Sequence, residues 1–561
     1  MKSKSVITGL TAAIIVPCAL AVNPIIQTIY TADPAALVHD DTVYLYTGHD
    51  EDGSTWFTMN DWHVYSSKDM VNWTDHGVPL TLKDFSWAKK NAWAGHVIER
   101  NGKFYYYVPV EQNNGGMAIG VAVSDSPTGP FKDPLGKPLV AHGFGDIDPA
   151  AFIDDNGQAY LVWGNPAYKY VKLNADMISY DTSGGDKGVY VPTMTVEAFG
   201  PRSKTDRATS YEEAPWIYKR SGLYYLFFAG GPVPEHLAYS TGPTPEGPWK
   251  YGSNFLPTQG GSFTDHPAVI DFKGKTYLFY HNGGLPGGGG FTRSVCVDEL
   301  KFNPDGSVVP MNMSKEGPAP VATLDPYTRN EAETIAWTAS LQTVKNKPGG
   351  VETEPGQGGI IVYAIENDDY IEVKNVDFGK VGAGTFTASV SAETKPNATK
   401  PSAIEIHLDS TSGPLVGTLP VNVTDGQWKT VTTAINGASG VHNVFFIFKG
   451  EPVSNLFKFD WWQFAKKQTP AELVAVTANL DRYKLNGLSQ DGRTAKLNVS
   501  AIYSDGTTED VTKQCRVMMQ NKYIVTVTNG LINAAGLGQT WIQVGYQGKS
   551  DAFPILVAEG L

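Results

Sequence analysis

The sequence predicts an all-β chain: a five-bladed β-propeller followed by a jelly-roll β-sandwich and a small immunoglobulin-like β-sandwich. A strand–turn–strand motif recurs five times in the first part of the chain, and alternating strands follow in two further segments. Gly, Pro and aromatic residues are abundant, whereas charged residues make up only 18% of the chain, which favours turn-rich β structure over helical bundles. The length of 561 residues also exceeds what one hydrophobic core supports.

The five copies of the motif share a register position that directly precedes a Pro or Gly and lies shortly before a tyrosine. This position is occupied in turn by Asp33, Ala94, Asp148, Ala214 and His266. Each copy combines a short apolar strand, a turn and an aromatic strand, which is the pattern of a β-hairpin. A β-sandwich with chance similarity is the alternative, but five copies in register favour a propeller over residues 23–315.

The chain after the propeller divides at two linkers without hydrophobic periodicity, residues 313–330 and 466–470. Alternating strands predict a β-sandwich over residues 330–466. The remainder, residues 471–561, favours a small immunoglobulin-like sandwich. The first linker also implies a propeller that folds alone.

Residues 1–22 have the pattern of a secretory signal peptide. Two lysines precede a short apolar run that ends in Ala19-Leu20-Ala21, an A-x-A cleavage pattern. A membrane anchor is one alternative, but no stop-transfer charges follow the apolar run. A lipoprotein modified at Cys18 is another, but Val16-Pro17 before this cysteine fits a lipobox poorly. We therefore expect a secreted, extracellular protein, and no later stretch is apolar enough to span a bilayer.

The formal net charge of −13 is spread along the chain. Nucleic acids and anionic membranes both require a basic surface, so neither is an expected partner. After cleavage only Cys296 and Cys515 remain, in different predicted domains, and we expect two free, buried thiols rather than a disulfide. We expect a monomer.

The register position also predicts a functional site, because the inner strands of all blades meet at the central channel. Asp33, Asp148, His266 and Glu213, which directly precedes its register position, should therefore face one cavity. Converging carboxylates are costly unless they are used or neutralised by a cation. In an exported protein rich in aromatic residues they suit hydrolysis of a glycosidic bond, in which one acid protonates the leaving oxygen and a second activates water.

Three acid motifs occur in order with the blade spacing: Ala-Asp-Pro at 32–34, Asp-Ile-Asp-Pro at 146–149 and Tyr-Glu-Glu-Ala-Pro-Trp at 211–216. Over about residues 25–315 the chain thereby resembles glycoside hydrolase family 43. The resemblance implies Asp33 as general base, Glu213 as general acid, Asp148 as the group that orients the acid and tunes its pKa, and inversion of the anomeric centre. Glu212 is the rival acid; Glu213 is favoured because it directly precedes Ala-Pro and because adjacent strand residues face opposite ways.

The same resemblance assigns two residues around the acids. Arg293 matches an arginine that contacts substrate and, among carboxylates, can hold Asp33 ionised; a surface salt bridge is the alternative. His266 matches a histidine that faces a channel cation, usually calcium with waters, and is a candidate substrate contact; a satisfied core histidine is the alternative. Further walls of the cavity are expected from four residues: Trp93, Phe144, Trp163 and Asn165.

The second predicted domain opens with Asn-Glu-Ala-Glu at 330–333 and closes with Phe-Asp-Trp-Trp at 459–462. Over about 135 residues it resembles a family 6 carbohydrate-binding module. The resemblance implies that Glu331, Glu333 and Asp460 bind a structural calcium ion, for which carboxylate oxygens are suitable ligands.

The resemblance also implies that a sugar is held between the rings of Tyr363 and Trp428, because an apolar pyranose face stacks on an aromatic ring. Lys458 stands where the family usually has Asn, which leaves the ligand contact at this place open. The last domain is similar to a bacterial immunoglobulin-like repeat and shows no group suited to chemistry.

Family 43 includes β-xylosidases, α-L-arabinofuranosidases and endo-arabinanases. The segments 30–34 and 47–52, together with the attached family 6 module, resemble most the bacterial arabinoxylan arabinofuranohydrolases. The predicted function is removal of α-L-arabinofuranosyl side chains from arabinoxylan, with hemicellulose as the partner. β-Xylosidase and arabinanase are alternatives of the same class. A propeller that only binds glycans is an alternative of another class, and the intact Asp33, Asp148 and Glu213 argue against it.

Overall fold

The computed structural model describes residues 23–340, 350–356, 358–393, 400–451, 455–468, 471–487 and 492–559. The predicted signal segment, residues 1–22, lies outside these ranges. The described chain is almost entirely β structure, with one short α-helix at Val196–Phe199 and one 3-10 turn at Leu82–Asp84. No helix within these ranges is long and apolar enough to cross a membrane.

Five successive antiparallel sheets form the blades and confirm the predicted propeller. The first blade contains Thr31–His39, Thr42–His49, Asp61–Ser67, Trp73–Asp75 and Leu80–Thr81. The second contains Ala88–Lys90, His96–Arg100, Lys103–Gln112 and Met117–Ser124, and the third Ala150–Ile153, Ala159–Trp163 and Lys169–Leu173. The fourth contains Tyr211–Arg220, Leu223–Gly230, His236–Gly242 and Lys250–Leu256, and the fifth Ala268–Phe272, Lys275–Asn282 and Ser294–Leu300.

The N-terminal segment closes the propeller against the last strand of the fifth blade. The backbone N–H of Ile25 donates to the carbonyl oxygen of Val295 at 2.9 Å, and Asn23 Nδ2 donates to that of Val297 at 3.0 Å. A core rich in aromatic residues, including Trp62 and Phe227, packs the blades together. Closure therefore places the first and fifth blades side by side, although they are far apart in sequence.

Two β-sandwiches follow the propeller. The first sandwich consists of two sheets. One sheet contains Asn330–Glu331, Glu352–Gly356, Gly359–Tyr363, Ala383–Ser391, Lys429–Ala434 and Lys458–Lys466. The other contains Trp337–Ser340, Asp369–Asp377, Ser402–Leu408, Leu415–Val421 and Val441–Lys449. The second sandwich also consists of two sheets. One contains Leu473–Leu480, Thr494–Tyr503, Thr508–Asp510, Val525–Thr528 and Leu531–Ala534. The other contains Lys484–Asn486, Arg516–Met519, Gly538–Tyr546 and Lys549–Ala558. Both cysteines within the described ranges are free: Cys296 is buried in the propeller, whereas Cys515 is only half-buried in the last domain.

The first blade and the first β-sandwich are joined by hydrogen bonds. The strand Thr334–Ile335 pairs antiparallel with the outer strand Trp73–Asp75 of the blade. The Asn72 amide donates to the carbonyl oxygen of Lys374 and accepts from its N–H, both at 2.8 Å. Thr353 also donates to Asp75, at 2.7 Å. The sheet of the first blade thus continues into the second domain, an association that the linker composition did not indicate.

Candidate active site

Three of the five register positions have an unusual backbone conformation. Asp33, Asp148 and Ala214 have φ angles of 52°, 58° and 56°, in the left-handed region that residues other than Gly rarely adopt. Strand pairing is interrupted beside Asp33 and beside Glu213. Such bulges re-aim side chains and are common next to active sites. Here they turn the carboxyl groups towards the channel.

A single cavity of about 190 Å³ lies where these strands begin. Its volume is below the range of about 300–1,000 Å³ typical of drug-sized ligand sites, which suits one small unit of a larger substrate. Eight residues proposed from the sequence line it: Asp33, Trp93, Phe144, Asp148, Asn165, Glu213, His266 and Arg293.

On one side of the cavity, Arg293 binds two carboxyl groups. Its Nη1 donates to Asp33 Oδ1 at 2.8 Å, and its Nε and Nη2 each donate to an oxygen of Asp50 at 2.9 Å. Burial alone would raise the pKa of Asp50, but the charge and hydrogen bonds of Arg293 lower it overall. Arg293 is only 3% exposed, and its two-point pair with Asp50 fixes the guanidinium that holds Asp33.

His281 supports Asp33 from the fifth blade. The backbone N–H of Asp33 donates to His281 Nδ1 at 3.2 Å, so the ring proton lies on Nε2, which is 2.9 Å from the carbonyl oxygen of Thr264. Burial, followed by the positive charge of Arg293, lowers the pKa of His281 to about 4. The imidazole is therefore neutral near neutral pH, and Arg293 supplies the positive charge beside Asp33.

On the fourth blade, the surroundings of Glu213 favour its protonated form. Its side chain accepts a hydrogen bond from Asn165 Nδ2 at 2.6 Å, and Asn165 Oδ1 accepts one from Arg207 at 3.2 Å. Burial raises the pKa of Glu213 to about 7; the hydrogen bond from Asn165 opposes this shift and the negative charge of Asp33 adds to it. A carboxylic acid that keeps its proton near neutral pH can protonate a leaving oxygen.

Asp148 is the third carboxyl group of the cavity. Its Oδ2 accepts a hydrogen bond from the backbone N–H of Ala214 at 3.1 Å, directly beside Glu213. Burial, followed by the negative charges of Glu213 and Asp33, raises the pKa of Asp148 well above its usual range. Because Asp148 and Glu213 repel each other as anions, their proximity favours a state in which one of them keeps its proton.

Glu212, the rival acid, faces away from the cavity. Its Oε2 accepts a hydrogen bond from Arg202 at 2.6 Å, and its Oε1 lies 2.8 Å from Arg207 Nη1. Both oxygens are thus occupied by guanidinium groups. Since Glu213 lines the cavity and Glu212 does not, the geometry favours Glu213 as the acid.

Trp163 lies outside the cavity, which corrects its assignment as a wall. Its side chain is fully buried, and its Nε1 donates to Asp146 Oδ1 at 2.9 Å. It packs with Tyr107 and Leu161 in the core between the second and third blades. Trp163 therefore has a structural position, and Asp146 is its buried hydrogen-bond acceptor.

His266 lines the cavity as an uncharged group. Burial, followed by the positive charge of Arg293, lowers its pKa to about 3. A neutral imidazole can accept a hydrogen bond from a sugar hydroxyl or bind a cation. Among the described residues, His266 does not belong to a group of three convergent His, Cys, Asp or Glu ligands.

Aromatic side chains form much of the remaining wall. Phe57 lies 6.2 Å from Trp93 between ring centroids, and Trp93 lies 6.3 Å from Phe144. Trp56 and Phe144, which are 59% and 67% exposed, extend this wall to the rim. The sequence reasoning did not single out Trp56 and Phe57, although two adjacent aromatic residues in an otherwise polar connecting segment are a recognisable signal for a binding surface.

A second cleft, of about 480 Å³, lies on the first β-sandwich, and Tyr363 and Trp428 both line it. Lys458 lines the same cleft, and its Nζ lies 2.7 Å from Glu354 Oε1. Asn455 is a further lining residue and supplies an amide a few residues before Lys458. The two predicted aromatic residues are thus brought together, and polar groups are available beside them.

The three carboxyl groups predicted to bind calcium lie close enough to influence one another. Arg329 holds Glu331 through hydrogen bonds of 2.9 and 2.8 Å. Glu333 Oε2 is buried and has no hydrogen-bond partner within the described part of the chain. Burial, together with the charges of Glu331, Asp75 and Asp460, raises the pKa of Glu333 to about 9. An orphaned carboxylate oxygen among other acids fits a hard cation.

A buried acid with a raised pKa and a carboxyl group bound by arginine, brought together from different blades in one small aromatic cavity, define a glycoside hydrolase that uses two carboxyl groups. The chain matches the model of glycosyl hydrolases family 43 over residues 21–308 and that of carbohydrate binding module family 6 over residues 331–466. It belongs to glycosyl hydrolases family 43.

Relatives match well beyond the propeller. An arabinoxylan arabinofuranohydrolase of Bacillus subtilis is 34% identical over 507 residues, covering 79% of this chain and 92% of that protein. One from Paenibacillus polymyxa is 34% identical, covering 86% of this chain and 80% of that protein. A crystal structure of a family 43 arabinoxylan arabinofuranohydrolase from B. subtilis, in complex with cellotetraose, superimposes with a TM-score of 0.66 at 33% identity, covering 80% and 98% of the two chains.

Proposed function

We propose that this enzyme removes α-L-arabinofuranosyl side chains from arabinoxylan with inversion of the anomeric centre. The observation that carries this proposal is the contrast between Asp33, bound to Arg293, and Glu213, whose pKa is raised to about 7 in the same cavity. The similarity to two arabinoxylan arabinofuranohydrolases over most of the chain supports the choice of substrate.

In the proposed mechanism Glu213 donates its proton to the oxygen that links arabinose to the xylan backbone. Asp148 accepts a hydrogen bond from the backbone N–H of Ala214, directly beside Glu213, and Asn165 orients the Glu213 side chain through a 2.6 Å hydrogen bond. Proton donation and departure of the xylan hydroxyl occur together. The positively charged arabinosyl centre therefore develops in a cavity lined by carboxyl groups.

Asp33 accepts a proton from the water that attacks the anomeric carbon on the opposite face. Its position is fixed by Arg293 at 2.8 Å and, through its backbone N–H, by His281 at 3.2 Å. Inverting enzymes need room for this water and hold their two carboxyl groups about 6.5–9.5 Å apart. Placing the two acids on the first and fourth blades supports such a separation.

Product analysis on three substrates in parallel tests the proposed activity: arabinoxylan, debranched arabinan and linear xylo-oligosaccharides. Free arabinose from arabinoxylan alone supports the proposal. Release from debranched arabinan would make the enzyme an arabinanase-type arabinosidase instead.

β-Xylosidase activity is the second candidate, because the catalytic half also resembles a xylosidase/arabinosidase of Humicola insolens, 33% identical over 51% of this chain and 98% of that protein. The exposed rim residues Trp56 and Phe144 favour a polymeric substrate that continues outside the cavity. Xylose released from linear xylo-oligosaccharides would establish the second candidate.

The first β-sandwich is proposed to hold the enzyme on polysaccharide through the cleft of Tyr363 and Trp428. Calcium would bind at Glu331, Glu333 and Asp460, where the orphaned oxygen of Glu333 favours a cation that supplies positive charge and stabilises the start of the domain. The second cation at His266, export through residues 1–22 and a monomeric state stay predictions.

A further inference from the structure

Two histidines and an aspartate form a cluster on the first blade, beside the catalytic cavity. His49 ends the second strand of the blade, and Asp61 begins the third. Because the paired residues Gly48 and Trp62 are adjacent to them, His49 and Asp61 face each other across the two strands. His63 follows Asp61 by two residues and therefore projects from the same face.

The side chains of the cluster converge on one oxygen. His49 Nδ1 lies 3.1 Å and His63 Nε2 lies 3.4 Å from Asp61 Oδ1. The three ligand atoms lie within 4.8 Å of one another. Two imidazole nitrogens and one carboxylate oxygen are a donor set that suits zinc and related divalent ions, with further positions left for water. The side chains of His49 and Asp61 are 19% and 26% exposed, so an ion can reach them from solvent.

We propose that His49, Asp61 and His63 bind a divalent transition metal ion of the zinc class. The ion would join the two ends of the segment 50–60, because His49 directly precedes this segment and Asp61 directly follows it.

The segment 50–60 connects the cluster to the catalytic cavity. Asp50 accepts three hydrogen bonds from Arg293, one from its backbone N–H and two from its guanidinium group. Trp56, Phe57 and Met59 line the cavity. The segment has few internal hydrogen bonds of its own, among them Glu51 N–H to Thr58 O at 3.1 Å. A metal ion bound by His49 and Asp61 restricts both ends of the segment 50–60 and thereby stabilises the aromatic wall of the cavity.

The surroundings of His63 set the expected strength of binding. Its Nδ1, which faces away from Asp61, is buried and has no hydrogen-bond partner in the described ranges of the chain. In tight metal sites, the ring nitrogen of a histidine that does not bind the metal usually donates to a hydrogen-bond acceptor. Loss of that acceptor weakens metal binding by about 10–100-fold. We therefore expect reversible binding that is removed by chelation.

The test uses the full-length chain without an affinity tag, stripped with a chelator and titrated with zinc chloride by calorimetry. Excess calcium is present so that carboxylate sites elsewhere are occupied. The wild type is compared with His49→Gln, His63→Gln and Asp61→Asn, and thermal unfolding without zinc identifies the variants that are folded. Asp409→Asn is the matched control, because Asp409 binds His442 at 2.9 Å in a His–Asp pair that has no third convergent ligand among the described residues.

We expect one zinc ion per wild-type chain at this site, affinity at least tenfold weaker in each folded cluster variant, and no change in Asp409→Asn. Hydrogen–deuterium exchange should show slower exchange in residues 50–60 when zinc is added to the wild type, and no such change in His63→Gln. The proposal is overturned if the wild type binds no zinc, or if both histidine variants bind it as tightly. Zinc binding without protection of residues 50–60 would refute the link to the catalytic wall.

Discussion

The cavity of the propeller and the cleft of the first β-sandwich differ in how they hold their charged groups. In the propeller, Asp148 and Glu213 are buried close together, and their pKa values are raised. In the cleft of the first β-sandwich, Lys458 and Glu354 form an ion pair whose side chains are 45% and 31% exposed. Burial without a direct ion pair raises the pKa of a carboxyl group and suits it to donate a proton, whereas a solvated ion pair beside two aromatic rings suits binding. Substitutions in one cavity should therefore leave the task of the other unchanged.

Glu213→Gln should have the largest effect. Loss of the general acid should lower activity on arabinoxylan by about 10²–10⁴-fold, with a much smaller loss on an aryl arabinoside whose leaving group needs little protonation. Binding of the protein to insoluble arabinoxylan should not change. Steady-state rates on both substrates, with Glu212→Gln as the matched variant, are the measurement. If Glu212→Gln shows this substrate dependence and Glu213→Gln does not, the acid is Glu212.

The pH–rate profile checks the same group. A general acid must be protonated to act, so activity should fall as pH rises through about 7, the pKa to which burial raises Glu213. This fall in activity at high pH, the alkaline limb of the profile, should be absent in Glu213→Gln assayed on the aryl arabinoside. Its persistence there would assign it to another group.

Asp50→Asn should have the next largest effect, since Asp50 positions Arg293, which in turn holds Asp33. A small misplacement of the catalytic group costs about 10²-fold in rate. Arg293→Lys keeps the charge but loses the two-point pair, and should be impaired to a similar degree. In a double-mutant cycle the double variant should be no worse than the poorer single variant. Additive losses would show that Asp50 and Arg293 act independently.

Trp428→Ala should weaken adsorption to insoluble arabinoxylan by about tenfold, because one stacking surface is lost. Turnover of a small aryl arabinoside should be unaffected, since that substrate does not use the cleft. Adsorption isotherms and rates measured on the same preparation separate the two effects. Equal adsorption by variant and wild type would place polysaccharide binding on another face.

Deleting residues 331–561 should lower the unfolding temperature of the propeller by a few degrees. The deletion removes Thr334–Ile335 and leaves the outer strand Trp73–Asp75 without its partner. Deleting only residues 471–561 is the control and should have little effect on the propeller. If calorimetry shows the same propeller transition in both truncations, the result supports the independent folding that the linker implies.

The sequence predicted that Asp33, Asp148 and Glu213 share one cavity, because a repeat defines equivalent positions and a propeller brings such positions together. It did not locate Asp50 or His281, since both lie at other places in their blades and meet Arg293 and Asp33 only when the ring closes. Trp163 was misplaced for a different reason. Its strand, Ala159–Trp163, is buried on both faces, so alternation of polar and apolar residues could not show which face meets the cavity.

The association between propeller and β-sandwich was also beyond the sequence pattern. The pairing strand Thr334–Ile335 has only two residues and follows the acidic motif at 330–333, so it carries no periodicity of its own. Asn72 bonds to backbone atoms of Lys374, and a backbone contact leaves no mark in residue type. Such contacts become visible only in three dimensions.

The stereochemistry of the first product tests the division of roles between Asp33 and Glu213 most directly. If Asp33 activates a water while Glu213 protonates the leaving oxygen, the sugar is released with the opposite anomeric configuration. Proton NMR of the early reaction on an α-L-arabinofuranoside should therefore show β-arabinofuranose first, followed by slow mutarotation. The appearance of α-arabinofuranose first, or efficient transfer of arabinose to added alcohols, would make Asp33 a nucleophile and contradict its assignment as the base.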